Sequence, residues 1–366
     1  MSIPTPTPLR DLLGELAQAV GRPVASVYLP LPSASEDAAQ QYDVRRRNLA
    51  DQLRAAGADD ALLEVVSQAL SDRQHDDGAT LVLVADAERV LLDRTLSRGL
   101  PTEVVSVGLV PALLPALRAE QDDLDHVAVL LDRTGADVWV RSTLDHVEQT
   151  TQVEGDTEHV HRGAPGGWSQ RRFQQRAENT WEHNASDVIA ELLELVDLER
   201  MERIVIAGDV RAVGFFTDHL PVKAKERLIV VDGSRHSDHE AFLHAADVAV
   251  RTTAKEHEVG DIHQLQEDLA VGTAVEGLEV LSLLAQGRVD RLFVADDTRS
   301  PERLQVPFTL DPFLAGSMAQ EMSATTTAPA GDLAVLMAAG MGTSVHVLPG
   351  HGARLPADGL GARLRG

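Results

Sequence analysis

The 366-residue sequence contains no cysteine, which excludes disulfides, thiolate metal sites and a cysteine nucleophile together and fits a reducing compartment. Aromatic residues are scarce, at 3%. Cores must therefore be built from Ala, Leu and Val, and each of the three tryptophans, Trp139, Trp168 and Trp181, becomes informative. No run of about 18 apolar residues occurs, so no membrane-spanning helix and no membrane partner are expected. The opening MSIPTPTPLRDLLGEL has no basic start followed by an apolar run, so export is not expected and the chain reads as cytoplasmic. Positive charge is also short: 33 Lys and Arg face 57 Asp and Glu, a formal net charge of -24. Phosphate attraction needs clustered cations, so any RNA contact must be local and DNA is not an expected partner. The acidity by itself serves solubility.

What is present is a globular chain, 43% apolar and 25% charged, long enough for two or three domains. The pattern predicts an α/β fold of three consecutive α/β domains, over 1–122, 123–252 and 253–366. In the first, residues 24–31 (VASVYLPL) read as a strand and 44–56 and 60–70 as helices. A strand at 80–85 (TLVLVA) and a hairpin partner at 88–95 follow, then a proline-punctuated helix over 110–120. The acidic tract 121–125 marks a boundary. Residues 127–131 and 137–142 then flank Arg133-Thr134-Gly135 as a hairpin. Beyond a polar stretch, Phe173, Ala177, Trp181, Val188, Leu192 and Leu195 recur at helical steps, with Ser169 as a natural cap. Strands at 203–207 and 227–231 bracket a helix around 215–220 and complete a second layered α/β domain. The third segment reads as a helix over 273–285, a strand over 290–295, an unstructured low-complexity loop over 323–331, a helix over 333–339 and a strand over 344–348, a small α/β/α sandwich.

The window 159–176, HVHRGAPGGWSQRRFQQR, is a basic island with four arginines, two histidines and no acid. Its glycines let the backbone approach another backbone closely, and it leads into a helix amino terminus whose free N–H groups attract anions. This arrangement suits phosphate contact; a flexible connector with solvated arginines is the plainer alternative.

The order of elements around this window resembles the middle domain of the archaeal and eukaryotic class-one release factors and their Pelota relatives. In those release factors the loop reads Gly-Gly-Gln followed by Ser-x-x-Arg-Phe; here Gly166, Gly167, Ser169, Arg172 and Phe173 match and position 168 is Trp. Residues 275–280 (VEGLEV), 286–294 (QGRVDRLFV) and 359–365 (GLGARLR) resemble the family's carboxy-terminal domain. The resemblance covers about 125–366 and is nearest to the bacterial branch with the Balon-type ribosome hibernation factors. It implies an RNase H-like middle domain, a first domain facing the decoding centre, and a third domain contacting EF-Tu or another translational GTPase, or the ribosomal stalk base. It also implies a ribosomal A-site partner, with no cofactor, no metal and no catalytic residue.

Departures from the family pattern shape the expectation. The stop-codon-reading Asn-Ile-Lys-Ser loop is missing, and so is cysteine. Trp168 has no carbonyl acceptor to order a hydrolytic water, but it can stack on a nucleobase or pack within its own domain. The expected ribosome- and RNA-binding set is Arg162, Gly166, Gly167, Trp168, Ser169, Arg171, Arg172 and Arg176, with Arg45, Arg46 and Arg47 on a first-domain helix. The expected function is occupation of the A site of idle ribosomes without peptidyl-tRNA hydrolysis. A release or rescue factor is one alternative. A metal-dependent nuclease using Asp132, Asp209 and Asp232 at strand ends is another, although strand-end Asp is ordinary turn chemistry. The histidines at 159, 161, 236, 239 and 257–263 read as surface residues in polar loops.

Overall fold

The computed structural model describes residues 9–17, 21–31, 38–71, 80–96, 99–100, 103–132, 135–141, 148–154, 186, 190, 194, 201–235, 238–298, 300, 302–308, 326–350 and 355–366. Contacts divide the chain into two units, one built on residues 123–255 and the other on 7–122 together with 256–366. The fold class is α/β with several sheets, as the sequence pattern predicts.

From the amino-terminal side, α1 (Leu9–Ala17), β1 (Val24–Pro30), α2 (Ala38–Ala55), α3 (Asp60–Ser71), β2 (Thr80–Ala85), β3 (Val90–Leu96), β4 (Val104–Gly108) and α4 (Leu114–Asp122) follow in order. The strands form an antiparallel sheet ordered β3-β2-β1-β4. Its central strands β1 and β2 are buried at every residue except Pro30, which is why they read as largely apolar runs. Ala25, Val27 and Leu29 pack with Leu49 and Leu53 of α2 and Leu62 and Val66 of α3. The alternate residues Ser26 and Tyr28 point to the other face. One residue satisfies both: Ala112 N donates to Ser26 Oγ at 3.0 Å, and the Tyr28 hydroxyl donates to Ala112 O at 2.6 Å. The helix expected over 110–120 starts only at Leu114, since two prolines stand at 111 and 115 and a proline is tolerated only in a first turn. Short β4 was not expected.

The 123–255 unit holds β5 (His126–Leu131), β6 (Gly135–Arg141), β7 (Glu148–Glu154), β8 (Arg203–Gly208), α5 (Val210–His219), α6 (Val222–Lys225) and β9 (Leu228–Val230). The sheet order is β7-β6-β5-β8-β9, with β5, β8 and β9 parallel and β6 antiparallel to both neighbours. Alternation sorts the side chains. Val127, Val129, Ile204 and Ile206 pack against Ala212 and Phe216 of α5, while Ala128, Leu130, Trp139 and Val205 pack against Phe242, Ala246 and Val250 of the next helix. A sheet covered on both faces needs apolar residues at every position.

That next helix, α7 (His239–Val271), runs 33 residues without a proline. His257 and His263 lie on it and not in the polar loop expected for them, because the stretch is rich in helix formers; both are exposed, as a surface role requires. Then come β10 (Ala274–Glu276), α8 (Glu279–Ala285), β11 (Val289–Ala295), β12 (Gln305–Phe308), β13 (Thr326–Pro329), α9 (Ala330–Gly340), β14 (Ser344–Leu348) and β15 (Leu360–Leu364). The main sheet is ordered β10-β15-β11-β14. The helix expected over 273–285 is divided: Gly277, at φ +85°, turns the chain between β10 and α8. Part of the loop expected over 323–331 pairs with β12 as β13 and enters α9.

Segments 7–122 and 256–366 share one unit. Helix α1 packs on α9. From α4, Gln121 donates to Val345 O at 3.2 Å and accepts from Val347 N at 2.8 Å, while Arg118 donates to Val347 O at 2.8 Å. Side chains thus complete the outer edge of β14, which protects an otherwise open strand. Arg118 also pairs with Asp122 and with buried Glu258.

Candidate functional site

The expected loop residues Arg162, Gly166, Gly167, Trp168, Ser169, Arg171, Arg172 and Arg176 lie outside the described residues, and so does most of the helix stripe after them. The chain on either side is held firmly. Glu154, the last residue of β7, pairs with Gly135, at the end of the sheet where Leu131 pairs with Gly208. The described chain resumes at the opposite end, where Met201 is fully buried and the Glu202 and Arg203 N–H groups donate to Asp125 O at 2.9 and 3.3 Å. Glu154 and Arg203 therefore lie at opposite ends of one sheet.

At the exit end, the β5–β6 turn and the stretch before α7 are joined by an ionic network. Arg235 Nε and Nη2 donate to the two oxygens of Asp137 at 3.0 and 2.9 Å, and Nη1 donates to Asp132 Oδ1 at 3.0 Å. These bonds raise the guanidinium pKa above its ordinary value, Asp137 contributing most, although burial works against the charge. His239 Nε2 lies 3.7 Å from Asp137, and the His239 ring meets Trp139 edge-on, with centroids 5.4 Å apart. Trp139, whose side chain also touches Phe242, is thereby a core residue.

Two of the three carboxylates of the nuclease alternative make structural bonds. Asp132 holds Arg235 and accepts from Gly135 N at 3.0 Å, and Asp209 caps α5 by accepting from Arg211 N and Ala212 N. Asp232 is exposed beyond β9. Among the described residues no group of three or more His, Asp or Glu is arranged to hold a metal ion, and no helix is long and apolar enough to cross a membrane.

At the return end, register sets a row of basic side chains across the sheet. Arg141 of β6 pairs with His126 of β5, which pairs with Arg203 of β8; Ile204 N in turn bonds Arg227 O at 3.0 Å. Asp247 of α7 meets the first two, with Arg141 Nη1 at 3.0 and 3.1 Å from its oxygens and His126 Nε2 at 3.5 Å. Burial works against the Asp247 carboxylate, but the facing His126 ring, Arg141 and Arg251 hold its pKa below the ordinary value. This basic row was not visible in the sequence, because it combines an antiparallel pairing of His126 with Arg141 and a parallel pairing of His126 with distant Arg203.

The triplet Arg45-Arg46-Arg47 sits on α2. Arg45 is tied to Pro30 O, Arg46 donates to Ser71 Oγ at 2.9 Å, and Arg47 donates to Asp43 O at 3.2 Å. Arg45 and Arg46 thus brace α2 against the ends of β1 and α3, and exposed Arg47 is the member turned most to solvent.

Residues 125–270, from the start of β5 to the last turn of α7, match the bacterial archaeo-eukaryotic release factor family 2. The matched segment contains Gly166, Gly167 and Trp168 together with strands β5 to β9. No curated protein matches the chain. Among solved structures it is similar to an archaeal translation termination factor, aRF1, with 16% identity over 98% of each chain and a TM-score of 0.23. It is also similar to Archaeoglobus fulgidus Pelota, with 12% identity over 98% of this chain and 93% of that one and a TM-score of 0.32. Against S. cerevisiae Dom34, a termination-like factor, identity is 13% over 80% and 75% of the chains, with a TM-score of 0.38.

Proposed function

We propose that this chain is a ribosome-binding translation factor that occupies the A site of idle ribosomes as a hibernation factor and does not hydrolyse peptidyl-tRNA. The family 2 match over 125–270 supports this most, because it encloses a loop in which Trp168 stands where the resembled release factors carry the catalytic glutamine. An indole offers one N–H donor and no carbonyl, so it cannot order an attacking water as an amide does; it can stack on an unpaired base. Arg162, Arg171, Arg172 and Arg176 flank Trp168 in sequence and would supply cations for phosphate, and Gly166, Gly167 and Ser169 would let backbone N–H groups approach RNA. Arg47, with Arg46 beside it, would serve the decoding side, and the 256–366 segment would meet EF-Tu or another translational GTPase.

Protein bound to vacant 70S ribosomes is expected to exclude aminoacyl-tRNA from the A site, and on ribosomes carrying a P-site peptidyl-tRNA it is expected to leave that peptidyl-tRNA intact. Simultaneous occupancy with aminoacyl-tRNA contradicts the reading. Rapid peptide release by the native chain would assign it instead to the release and rescue factors.

A further inference from the structure

Helix α4 meets the edge strand β14 through three bonds that land on the residues either side of His346: Gln121 donates to Val345 O and accepts from Val347 N, and Arg118 donates to Val347 O. The His346 ring meets α7, where its Nδ1 lies 3.2 Å from Asp261 Oδ2, and it tilts against Phe293 of β11, with ring centroids 5.9 Å apart. A carboxylate only accepts, so Nδ1 carries the proton of the neutral ring and Nε2 is left bare. Nε2 is buried and has no hydrogen-bond partner among the described residues. The same turn of α7 serves the seam as well: Glu258 pairs with Arg118, while Asp261 pairs with Arg291 of β11 in addition to His346.

A second proton on this ring finds no acceptor at Nε2, so it creates a buried N–H donor without a partner and a charge that burial opposes. Burial is the largest influence on His346 and lowers its pKa. Asp261 raises it, Arg118 lowers it, Glu258 raises it and Arg291 lowers it, and the net direction is down from the ordinary 6.5. The folded state thus prefers the neutral ring, whose contribution is present above about pH 6.5 and is lost as pH falls. Arg118 disfavours the protonated ring and is also the residue that ties α4 to β14, so protonation acts on the seam itself.

We propose that His346 is a proton-operated latch on the seam between α4 and β14. With a neutral ring the seam stays closed; a second proton loosens it, so the 7–122 and 256–366 segments of this unit separate more readily in acid. The latch does not depend on the ribosome-binding reading, and it adds to it a signal, acidity, to which the fold responds.

The test is hydrogen–deuterium exchange of the full chain, read by mass spectrometry from about pH 7 to about pH 5 and corrected for intrinsic exchange, for the native protein, H346Q and D261N. In the native protein, exchange in α4 and β14 is expected to rise about tenfold or more over this range, while β5 and β8 keep their protection. H346Q is expected to show no such rise, because glutamine does not titrate. D261N is expected to move the opening to lower pH, because Asp261 favours the charged ring. Asp332 titrates in all three proteins, so the differences between them isolate His346. The same pH response in native and H346Q proteins overturns the proposal, as does a rise shared equally by β5 and β8. If H346Q does not fold, D261N decides alone: an opening left unmoved, or moved to higher pH, overturns it.

Discussion

Arg235 grips Asp137 through two parallel bonds, 3.0 Å from Nε and 2.9 Å from Nη2, and the Asp137 side chain is 4% exposed. A planar guanidinium matched to a carboxylate in this way is strong and directional, and it is difficult to remove from one side only. The pair joins β6 to the stretch before α7, so it closes the end of the sheet from which the chain leaves for the Gly-Gly-Trp loop.

Replacing Arg235 by Ala leaves Asp137 as a buried, poorly compensated carboxylate. We expect a loss of about 3 kcal/mol in unfolding free energy, read from the urea midpoint. Removing both partners, in D137L/R235L, should cost less than R235A alone.

Asp332, in the first turn of α9, predicts a pH dependence. Burial raises its pKa from 3.8 to about 6, against the opposing Arg303 guanidinium 2.9 Å away. The folded state then holds its proton more tightly than the unfolded one, so this group's contribution is full below about pH 4 and is lost as pH rises to about 6. The native protein should lose about 3 kcal/mol relative to D332N across that interval. His346 acts with the opposite sign: burial lowers its pKa, so its contribution is present above the ordinary histidine range and is lost as pH falls. For that reason the difference between native and D332N curves is the measurement, and not the native curve alone. A flat difference between pH 4 and 6 contradicts the assignment.

Gly208 ends β8 at φ +135°, and a Cβ there would lie 1.8 Å from Leu131 O. Gly208→Ala must break the β5–β8 pairing at its last rung and should cost about 3 kcal/mol or more, with a sharp fall in soluble yield. Gly214, exposed within α5, offers the contrast, since a methyl group added to its Cα would meet nothing within 4 Å. Gly214→Ala is expected to stabilise by about 0.5 to 1 kcal/mol.

Truncating the proposed stacking residue, Trp168→Ala, should weaken ribosome affinity about tenfold or more, the effect of losing one base–aromatic stack. Thermal stability should stay unchanged, since the substitution is predicted to act at the RNA contact.

The strands most legible in the sequence are the ones buried on both faces: β1, β2, β5 and β8 carry largely apolar runs between turn residues. Among the edge strands, β3, β9 and β14 were also legible, while β4, β7 and β10 were not. β7, EQTTQVE, is polar except at Val153 and stands at the end of its sheet. β15, LGARL, is central yet contains a glycine packed 3.0 Å from Leu265 at its would-be Cβ, so its burial depends on a distant helix. Helix α7 was hidden by its charge, since acids and histidines every few residues look like loop until a turn-by-turn pattern of Phe242, Ala246 and Val250 is recognised. The basic island at 159–176 could be read directly, because its cations are neighbours in sequence. The Arg235 network could not, because a returning loop assembles it from residues 98 to 103 positions apart.

The central claim is tested most directly by sedimenting the purified chain with 70S ribosomes from starved cells through a sucrose gradient at moderate salt. The account predicts that native protein travels with the 70S peak and that Trp168→Ala shifts towards the top of the gradient. Native protein remaining wholly at the top, under conditions where it is folded, would contradict it.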